Sequence, residues 1–422
     1  RGCTIFIGFT PQQILYSQLF KVANELATFF LFIKRVIMFI YIGGDMEYTL
    51  TATCHFGVEA VLKREITDLG LKIKSTTDGR VEFYGQAEDI FRANLFLRTA
   101  ERVFVNLIEF EAFTFEDLYQ GIFAFPWADL LEEDANFIIN GRSYKSKLFS
   151  ISDCQRVTER AIIDKLNLSY NKSYYEKTGK IYSFEISMLN DQATLYLNTS
   201  GPGLHKRGYR KKQGAAPIKE TLASAMIQLS VWNPDRELLD PFTGSGTIPI
   251  EAAMIAKNIP SGILRRFDCE HFSFMNEVDF KAIRDQAFAN INQDRQINIK
   301  GSDYDRNMIM TARENAASLK LDDIFFFTKE VRKIEDLGEY GVIITNPPYG
   351  IRLSDETLDR TYENFNSLID SIPTWSIYMI TDYDIKDVIN REINKNRKLY
   401  NGKIKTYFYT MLGPRPPRED HV

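Results

Sequence analysis

The segment VIITNPPYG, residues 342–350, constrains the possible folds of this chain more than any other short stretch. Its first four residues are apolar or β-branched and predict a buried strand that stops at Asn346. The two prolines that follow fix their own φ angles and disfavour helical geometry in the residues before them. The strand therefore ends in a stiff corner with few N–H donors, where carbonyl oxygens face outward as acceptors.

Strand and helix patterns alternate around this corner. From about Gly214 the alternation is typical of a doubly wound parallel sheet, in which ligands bind at the carboxyl ends of the strands. Residues 46–100 have the pattern of strand, helix and strand. Residues 101–205 form a second mixed stretch, in which NDQ at 190–192 predicts a hairpin. We therefore predict an α/β fold with a Rossmann-like domain at 206–422, preceded by two α+β modules.

The first 45 residues differ from the rest of the chain. They contain the apolar stretch LATFFLFIKRVIMFIYIGG, which Lys34 and Arg35 divide into runs well short of the ~20 residues that span a bilayer. The chain begins with Arg1, and Met46 opens a segment of ordinary composition. We interpret residues 1–45 as an over-extended translation start, non-native or disordered, with an amphipathic membrane anchor as the alternative.

Composition excludes several classes of protein. The four cysteines are widely separated, include no CxxC pair and are accompanied by only four histidines, which argues against a disulfide framework or a zinc site. We expect free thiols in a reducing cytoplasm. A formal net charge of −4 argues against a uniformly basic coat, so any nucleic-acid partner must meet a local patch.

The segment ELLDPFTGSGTIPIEAAMIA, residues 237–256, predicts a short strand, a glycine turn and a helix. Gly244 and Gly246 allow a ligand to approach the backbone closely, and the free N–H groups at the helix start can receive polar or anionic groups. The loop matches neither GxGxxG nor GK[ST], which disfavours NAD and ATP. The alternative is an ordinary βα turn.

Asp303 ends the next candidate strand, where a carboxylate can accept hydrogen bonds from both hydroxyls of a ribose. Asp305 is placed to cap the following helix. The separation from Asp240 is far longer than the ~20 residues of a compact dinucleotide unit. We therefore predict an insertion that includes residues 264–280.

The corner at Asn346 suits a planar amine. The side-chain oxygen of Asn346 and the carbonyl of Pro347 can each accept a hydrogen from one exocyclic amino group, and Tyr349 can stack on the attached ring. Holding both N–H bonds directs the nitrogen lone pair toward an electrophilic methyl group, so that positioning and electrostatics carry the catalysis. The alternative is a rigid turn without chemistry.

DPFTGSG, Asp303 and NPPYG resemble the motifs of class I S-adenosylmethionine-dependent methyltransferases that act on exocyclic amines of nucleobases. Upstream, GLHKRGYR with APIKETLASAM, and RSYKSKLFSISDCQR, are similar to segments of THUMP-containing RNA guanine-N2 methyltransferases. The chain resembles in particular the bacterial 23S rRNA enzyme. In some bacteria that enzyme carries a second methyltransferase domain, and the resemblance is to its first half or to the stand-alone form with a single methyltransferase domain. The resemblance implies a ferredoxin-like module at 46–100, a THUMP-like RNA-binding module at 101–205 and a class I methyltransferase domain at 206–422.

The resemblance also implies roles for individual residues. The base and catalysis are assigned to Asn346, Pro347, Pro348 and Tyr349. The cofactor S-adenosylmethionine is assigned to Asp240, Phe242, Thr243, Gly244, Ser245, Gly246 and Asp303, of which the last holds the ribose. After the third strand, IFFFTKEVRKIED lacks the clear acidic or amide residue that often contacts the adenine amino group in this family, and Glu330 is a candidate. No metal is expected.

Basic residues concentrate in and just after the second module and predict a phosphate-binding surface. The residues assigned to RNA are Arg142, Lys145, Lys147, His205, Lys206, Arg207 and Arg210. Tyr144, Phe149 and Tyr209 lie among them and can stack on unpaired bases. The alternative is a solvated charged face.

The leading hypothesis is methyl transfer from S-adenosylmethionine to the N2 amine of a guanine in 23S rRNA or in a ribosome assembly intermediate. The alternatives among enzymes are an adenine-N6 nucleic-acid methyltransferase and a tRNA guanine-N2 methyltransferase. The alternative of another class is a non-catalytic RNA-binding or ribosome-assembly protein, which the intact NPPYG segment disfavours.

Overall fold

The computed structural model of the protein describes residues 47–210, 218–349, 355–402 and 404–417. The interpretation of residues 1–45 lies outside this part of the chain. The described residues divide into two compact units, one of residues 47–48 with Asn106–Leu197 and the other of Thr49–Val105 with the described residues from Asn198 onward. Most of the first predicted module therefore shares a unit with the predicted methyltransferase domain.

The order of strands and helices follows the alternation that the sequence predicts. The strands are β1 (Tyr48–Cys54), β2 (Lys72–Thr77), β3 (Arg80–Gly85), β4 (Ala100–Glu111), β5 (Asn136–Tyr144), β6 (Ile181–Leu189), β7 (Gln192–Asn198), β8 (Leu238–Asp240), β9 (Ile299–Asp303), β10 (Phe325–Thr328), β11 (Val342–Thr345), β12 (Ser376–Thr381), β13 (Lys395–Asn401) and β14 (Ile404–Met411). The helices are α1 (Glu59–Asp68), α2 (Ala87–Phe96), α3 (Phe115–Phe123), α4 (Trp127–Leu130), α5 (Ile151–Tyr170), α6 (Glu220–Leu229), α7 (Thr247–Ala256), α8 (Phe280–Ala289), α9 (Arg306–Ala317) and α10 (Asp355–Ser371). None of the helices in the described residues is long and apolar enough to cross a membrane.

In the first unit, β5 pairs with β6 in parallel and β6 pairs with β7 antiparallel. Asn190 and Asp191 have φ angles of 51° and 62° at the β6–β7 turn, which confirms the predicted hairpin because tight hairpin turns favour positive φ. Helix α3 starts at a capping box: Thr114 Oγ1 accepts a hydrogen bond from Asp117 N, and Asp117 Oδ2 accepts one from Thr114 N.

The N-terminal part of the second unit contains strands in the order β2-β3-β1-β4, with antiparallel pairs between β2 and β3 and between β1 and β4. Helix α1 buries Val61, Leu62 and Ile66, the apolar stripe expected from their spacing. The strand, helix and strand predicted at the start of this module are confirmed.

The C-terminal part contains a second sheet in the order β10-β9-β8-β11-β12-β14-β13. Strands β8 to β12 run parallel, and β14 and β13 extend the sheet antiparallel. Every residue of β11 and β12 is buried, as in central strands that are covered on both faces. Because β8, β9 and β11 are parallel, their carboxyl ends meet at one edge of the sheet, where Asp240 ends β8, Asp303 ends β9 and Asn346 follows β11.

The predicted insertion contains two short 3-10 helices, Asp268–His271 and Ser273–Met275, and leads into α8. These segments pack against α2. The insertion therefore connects the ferredoxin-like part of the unit to the sheet with the cleft.

Candidate active site

A cleft of about 620 Å³ lies at the carboxyl ends of β8, β9 and β11. It is lined by the glycine loop, the residues after β9 and β10, the corner after β11, and the first half of α10. The lining residues are Ile218, Asp240, Pro241, Phe242, Thr243, Gly244, Ser245, Thr247, Ile248, Asp303, Tyr304, Asp305, Met308, Lys329, Glu330, Val331, Arg332, Asn346, Pro348, Thr357, Arg360, Thr361 and Asn364.

Asp240 lies at the floor of the glycine loop and is almost fully buried. Its Oδ1 accepts hydrogen bonds from Thr345 Oγ1 at 2.6 Å and from Phe242 N at 3.2 Å. Burial raises the pKa of Asp240 to about 7, and the nearby Asp303 carboxylate adds to this effect. Its charge therefore changes near neutral pH.

The two loop glycines have different neighbours, although both have positive φ, 49° at Gly244 and 84° at Gly246. A Cβ on Gly244 would meet no atom within 4 Å, and this residue lines the cleft. A Cβ on Gly246 would lie 2.9 Å from Ala312 Cβ and 3.1 Å from Phe326 Cζ. Packing of the loop on α9 and β10 thus explains the glycine at 246, and its predicted contact with the cofactor remains a prediction.

Asp303 ties the end of β9 to the glycine loop. Its Oδ2 accepts a hydrogen bond from Gly244 N at 3.0 Å, and its Oδ1 accepts one from Asp305 N at 2.9 Å. Burial raises the pKa of Asp303. Asp305 accepts a hydrogen bond from Asn307 N at 2.8 Å and caps α9, as predicted. The carboxylate of Asp303 has lone pairs left for the hydroxyls of a ribose.

Asn346 presents an acceptor to the cleft. Its Oδ1 is buried and has no hydrogen-bond partner among the described residues. Leaving a buried polar group unsatisfied typically costs about 1–3 kcal/mol, so this oxygen is suited to a donor on a ligand. Pro348 also lines the cleft, and its carbonyl accepts a hydrogen bond of 3.2 Å from Tyr362 Oη. Pro347 is buried and is not among the lining residues.

The structure corrects the expectation for Tyr349. Its side chain is only 1% exposed and does not line the cleft. Its hydroxyl accepts a hydrogen bond of 2.7 Å from Asn401 Nδ2. The ring is therefore part of the interior in this structure, and presents no face on which a base can stack.

Helix α10 contributes a lining that the sequence analysis missed: Thr357, Arg360, Thr361 and Asn364. Their spacing places them on one face of the helix, next to the stripe of buried Leu358, Tyr362 and Phe365. The sequence signal that could have predicted this lining is the row of polar residues at helical spacing beside an apolar row at the same spacing.

Glu330 lines the cleft, where it was proposed as an adenine contact. It is exposed and forms ion pairs with Arg332 Nε at 3.1 Å and Lys333 Nζ at 3.2 Å. The hydrogen bond from Lys333, and to a smaller extent that from Arg332, lowers the pKa of Glu330. Tyr304, 76% exposed beside Asp303, also lines the cleft.

In the first unit, the residues assigned to RNA are on the surface. Arg142, Lys145 and Lys147 are exposed, and the side chains of Tyr144 and Phe149 are 62% and 80% exposed. Lys145 Nζ lies 5.2 Å from the centroid of the Tyr144 ring. The arrangement agrees with a basic surface that carries aromatic rings, and its role in RNA binding remains a prediction.

In the second unit, the prediction of an exposed basic surface is wrong for Arg207. Its side chain is buried, with Nε 3.4 Å from Glu251 Oε1 and Nη1 donating to Leu204 O at 2.9 Å. Tyr209, expected to stack on a base, is also buried and donates to Glu251 Oε1 at 3.1 Å. Arg207 forms an ion pair with the buried carboxylate of Glu251, and Tyr209 donates a hydrogen bond to it. Neither side chain is therefore available to a phosphate or a base.

Arg210 is likewise engaged inside the unit. It donates to Thr247 Oγ1 at 2.7 Å and lies 3.3 Å from Glu220 Oε1, with both side chains of this ion pair largely buried. His205 is half-buried, with Nδ1 3.4 Å from Glu101 Oε2. Of the four residues assigned to RNA here, Lys206 is the exposed one.

The sheet order, the cleft at the strand ends and the glycine loop together define a class I methyltransferase fold. Family models match three successive segments of the chain. They are the RlmL ferredoxin-like domain at residues 49–104, the THUMP domain at residues 112–198 and the RMKL-like methyltransferase domain at residues 207–409.

Curated relatives extend this match. The chain is 43% identical over 379 residues to the Bacillus subtilis protein named "Putative RNA methyltransferase YpsC". The aligned stretch covers 88% of this chain and 98% of that protein. It is 31% identical to "Ribosomal RNA large subunit methyltransferase K/L" of Psychromonas ingrahamii, over 86% of this chain and 50% of that protein. The chain thus spans about half the length of this second relative.

Solved structures also resemble this chain over most of its length. A Listeria monocytogenes protein, described as a "predicted N6-adenine-specific DNA methylase", is 41% identical with a TM-score of 0.82, over 87% of this chain and 97% of that chain. The protein SMU.472, solved in complex with SAH, is 38% identical with a TM-score of 0.82, over 88% and 99% of the two chains. This chain belongs to the THUMP-containing RNA methyltransferases of the RlmK/L type, whose cofactor is S-adenosylmethionine.

The residues of the cleft fit this cofactor. The open space at Gly244 leaves room for a ligand against the backbone, and the partly satisfied carboxylate of Asp303 lies beside it. The volume of about 620 Å³ is in the range of ligand pockets in proteins, which is roughly 300–1,000 Å³.

Proposed function

We propose that this protein transfers a methyl group from S-adenosylmethionine to the exocyclic N2 amine of a guanine in 23S rRNA. The observation that carries the proposal is the buried, unpartnered Oδ1 of Asn346 in a cleft that also contains Gly244 and Asp303. An exocyclic amine carries N–H donors in the plane of its ring, and one of them can supply the hydrogen bond that Asn346 Oδ1 has no partner for. The match to a THUMP domain and the name of the Psychromonas ingrahamii relative support ribosomal RNA as the substrate.

The proposed chemistry relies on positioning. S-adenosylmethionine supplies an electrophilic methyl group. Asn346 accepts one hydrogen of the amine, which orients the nitrogen lone pair. Asp303 binds the ribose of the cofactor, and residues 240–246 bind its methionine part. Glu330 is the proposed contact of the adenine amino group.

The experiment uses the purified full-length protein, radiolabelled S-adenosylmethionine and 23S rRNA, followed by mass spectrometry of the nucleosides. The expected product is N2-methylguanosine at a single position that is unmethylated in rRNA from a strain without the protein. Transfer to no RNA, despite cofactor binding, would favour a non-catalytic RNA-binding protein.

Adenine-N6 methylation is the second candidate. The same acceptor suits the amine of adenine, and the Listeria monocytogenes relative carries that description. N6-methyladenosine in the nucleoside analysis would identify this activity instead.

We propose the cytoplasm as the compartment, since Cys54, Cys154 and Cys269 are free thiols, as is usual in a reducing environment.

A further inference from the structure

Strands β13 and β14 form an antiparallel hairpin at the edge of the C-terminal sheet. The segment from Lys395 to Met411 contains no Asp or Glu, although the whole chain has a net charge of −4. Two residues on its inner side, Leu399 and Phe408, are buried in the core. The hairpin is therefore anchored through Leu399 and Phe408, while the opposite face packs Tyr409 into a second cluster and carries exposed lysines beside it.

The strand register places four residues together on the outer face. Lys398 pairs with Tyr407, and Tyr400 pairs with Lys405. Residues directly opposite in an antiparallel pair share a face, and so do residues two apart along a strand. Lysine and tyrosine therefore alternate both along and across the hairpin, and we call Lys398, Tyr400, Lys405 and Tyr407 the lysine–tyrosine face.

The side chains of this face interact with one another. Lys398 Nζ lies 5.3 Å from the centroid of the Tyr400 ring, and Lys405 Nζ lies 5.2 Å from that of Tyr407. Both lysines are exposed and both tyrosines are partly exposed. A hydrogen bond with Lys405 lowers the pKa of the Tyr407 phenol, and the charges of Lys405, Lys398 and Lys386 lower it further. Positive charge is thus gathered around rings that remain accessible.

The hairpin is linked directly to the corner at the active site. Asn401, the last residue of β13, donates the 2.7 Å hydrogen bond to the hydroxyl of Tyr349. Tyr349 lies three positions after Asn346, the residue with the unpartnered acceptor. The end of the hairpin and the corner that carries Asn346 are therefore joined by a direct contact.

We propose that the lysine–tyrosine face binds single-stranded RNA that flanks the target nucleotide. The lysines contact phosphates, and the tyrosine rings stack on unpaired bases. RNA matches this surface better than an acidic protein does, because it alternates anionic groups with planar rings along its length. The inference rests on the proposed function, in that it takes the substrate to be RNA.

The test compares two double variants of the full-length protein by fluorescence anisotropy with a labelled single-stranded oligoribonucleotide. Lys398→Ala/Lys405→Ala removes two charges from the face, and Lys63→Ala/Lys281→Ala removes two exposed charges from α1 and α8 as a matched control. The face variant should bind more weakly, and its slope of log affinity against log salt should fall by ~0.7 for each lost phosphate contact. The control should keep the slope of the wild type.

A third variant, Tyr400→Leu, separates stacking from charge. Its affinity for the oligoribonucleotide should fall by about 5- to 150-fold, the range for the loss of one base–aromatic stack, while the salt slope stays unchanged. Calorimetry with S-adenosylmethionine should give the affinity of the wild type for all variants, which shows that the cleft is intact.

Two results would overturn the inference: a face variant whose affinity and salt slope equal those of the control, or tighter binding of DNA than of RNA of the same sequence by the wild type. Methyl transfer to 23S rRNA by the wild type is scored separately. If that transfer occurs and the face variant still binds like the control, the inference fails and the proposed function stands. If no methyl reaches any RNA, the proposed function fails whatever the hairpin binds.

Discussion

The hydroxyl of Thr345 donates a hydrogen bond of 2.6 Å to Oδ1 of Asp240. Thr345 ends β11 and Asp240 ends β8, and these strands are parallel neighbours in the sheet. The bond therefore joins the residue before Asn346 to the residue before the glycine loop. The corner at Asn346 and the glycine loop are thus joined by a buried contact.

The raised pKa of Asp240 makes the stability of the cofactor-free protein depend on pH. The folded protein holds this proton up to about pH 7, whereas the unfolded chain releases it at about pH 4. The carboxyl therefore stabilises the fold most below the unfolded pKa, and this contribution is lost as the pH rises to the folded pKa. The free energy of unfolding of the wild type, minus that of Asp240→Asn, should fall by about 1.4 kcal/mol per unit between about pH 5 and 7. Urea titrations at several pH values measure the difference, and a flat difference would contradict the assignment.

Substitution of Asn346 tests its role as an acceptor. Asn346→Ala removes the unpartnered oxygen, and single-turnover methyl transfer should fall by ~10²–10³, the usual loss for one preorganised polar contact. The affinities for RNA and S-adenosylmethionine should change little. Asn346→Asp keeps an acceptor and should retain far more activity than Asn346→Ala. Equal inactivity of the two variants would make Asn346 a structural corner only.

The two loop glycines should respond differently to substitution. Gly244→Val adds atoms in the open space of the cleft and also strains the backbone at its φ of 49°. In the folded variant, calorimetry should show S-adenosylmethionine affinity reduced about tenfold or more, from an overpacking cost of ~1–3 kcal/mol. Gly246→Ala instead forces a Cβ against Ala312 and Phe326, so it should lower the free energy of unfolding by ~1–3 kcal/mol. A stable Gly244→Val variant with the cofactor affinity of the wild type would place the ligand elsewhere.

Arg207 and its neighbour Lys206 provide a matched pair for stability. Arg207→Ala leaves the buried carboxylate of Glu251 without its cation and should cost about 3–5 kcal/mol of unfolding free energy. Lys206→Ala changes an exposed residue and should stay within about 0.5 kcal/mol of the wild type. Chemical denaturation measures both, and equal stability of the two variants would refute the structural role of Arg207.

Local sequence was sufficient for several elements that form the cleft, although not for the lining from α10. The buried strand before Asn346, the glycine turn after Asp240 and the cap at Asp305 were all predicted, because apolar periodicity and the restricted angles of Gly and Pro act within a few residues. The hairpin at 190–192 was predicted for the same reason. The order of these elements along the chain then placed Asp240, Asp303 and Asn346 at one edge of a parallel sheet.

Local patterns in the chain were enough to predict the alternation of strands and helices and the residue types at the strand ends. Which side chains face the cleft, the solvent or the core depends on the folded arrangement. Arg207 has the appearance of a surface cation until Glu251, 44 positions away, is folded against it. Tyr349 belongs to a motif that suggested base stacking, yet Asn401 holds its hydroxyl inside the unit, 52 positions along the chain. Exposure and pairing depend on partners that only folding brings together, because desolvation and hydrogen bonding act over a few ångströms in space whatever the separation in sequence.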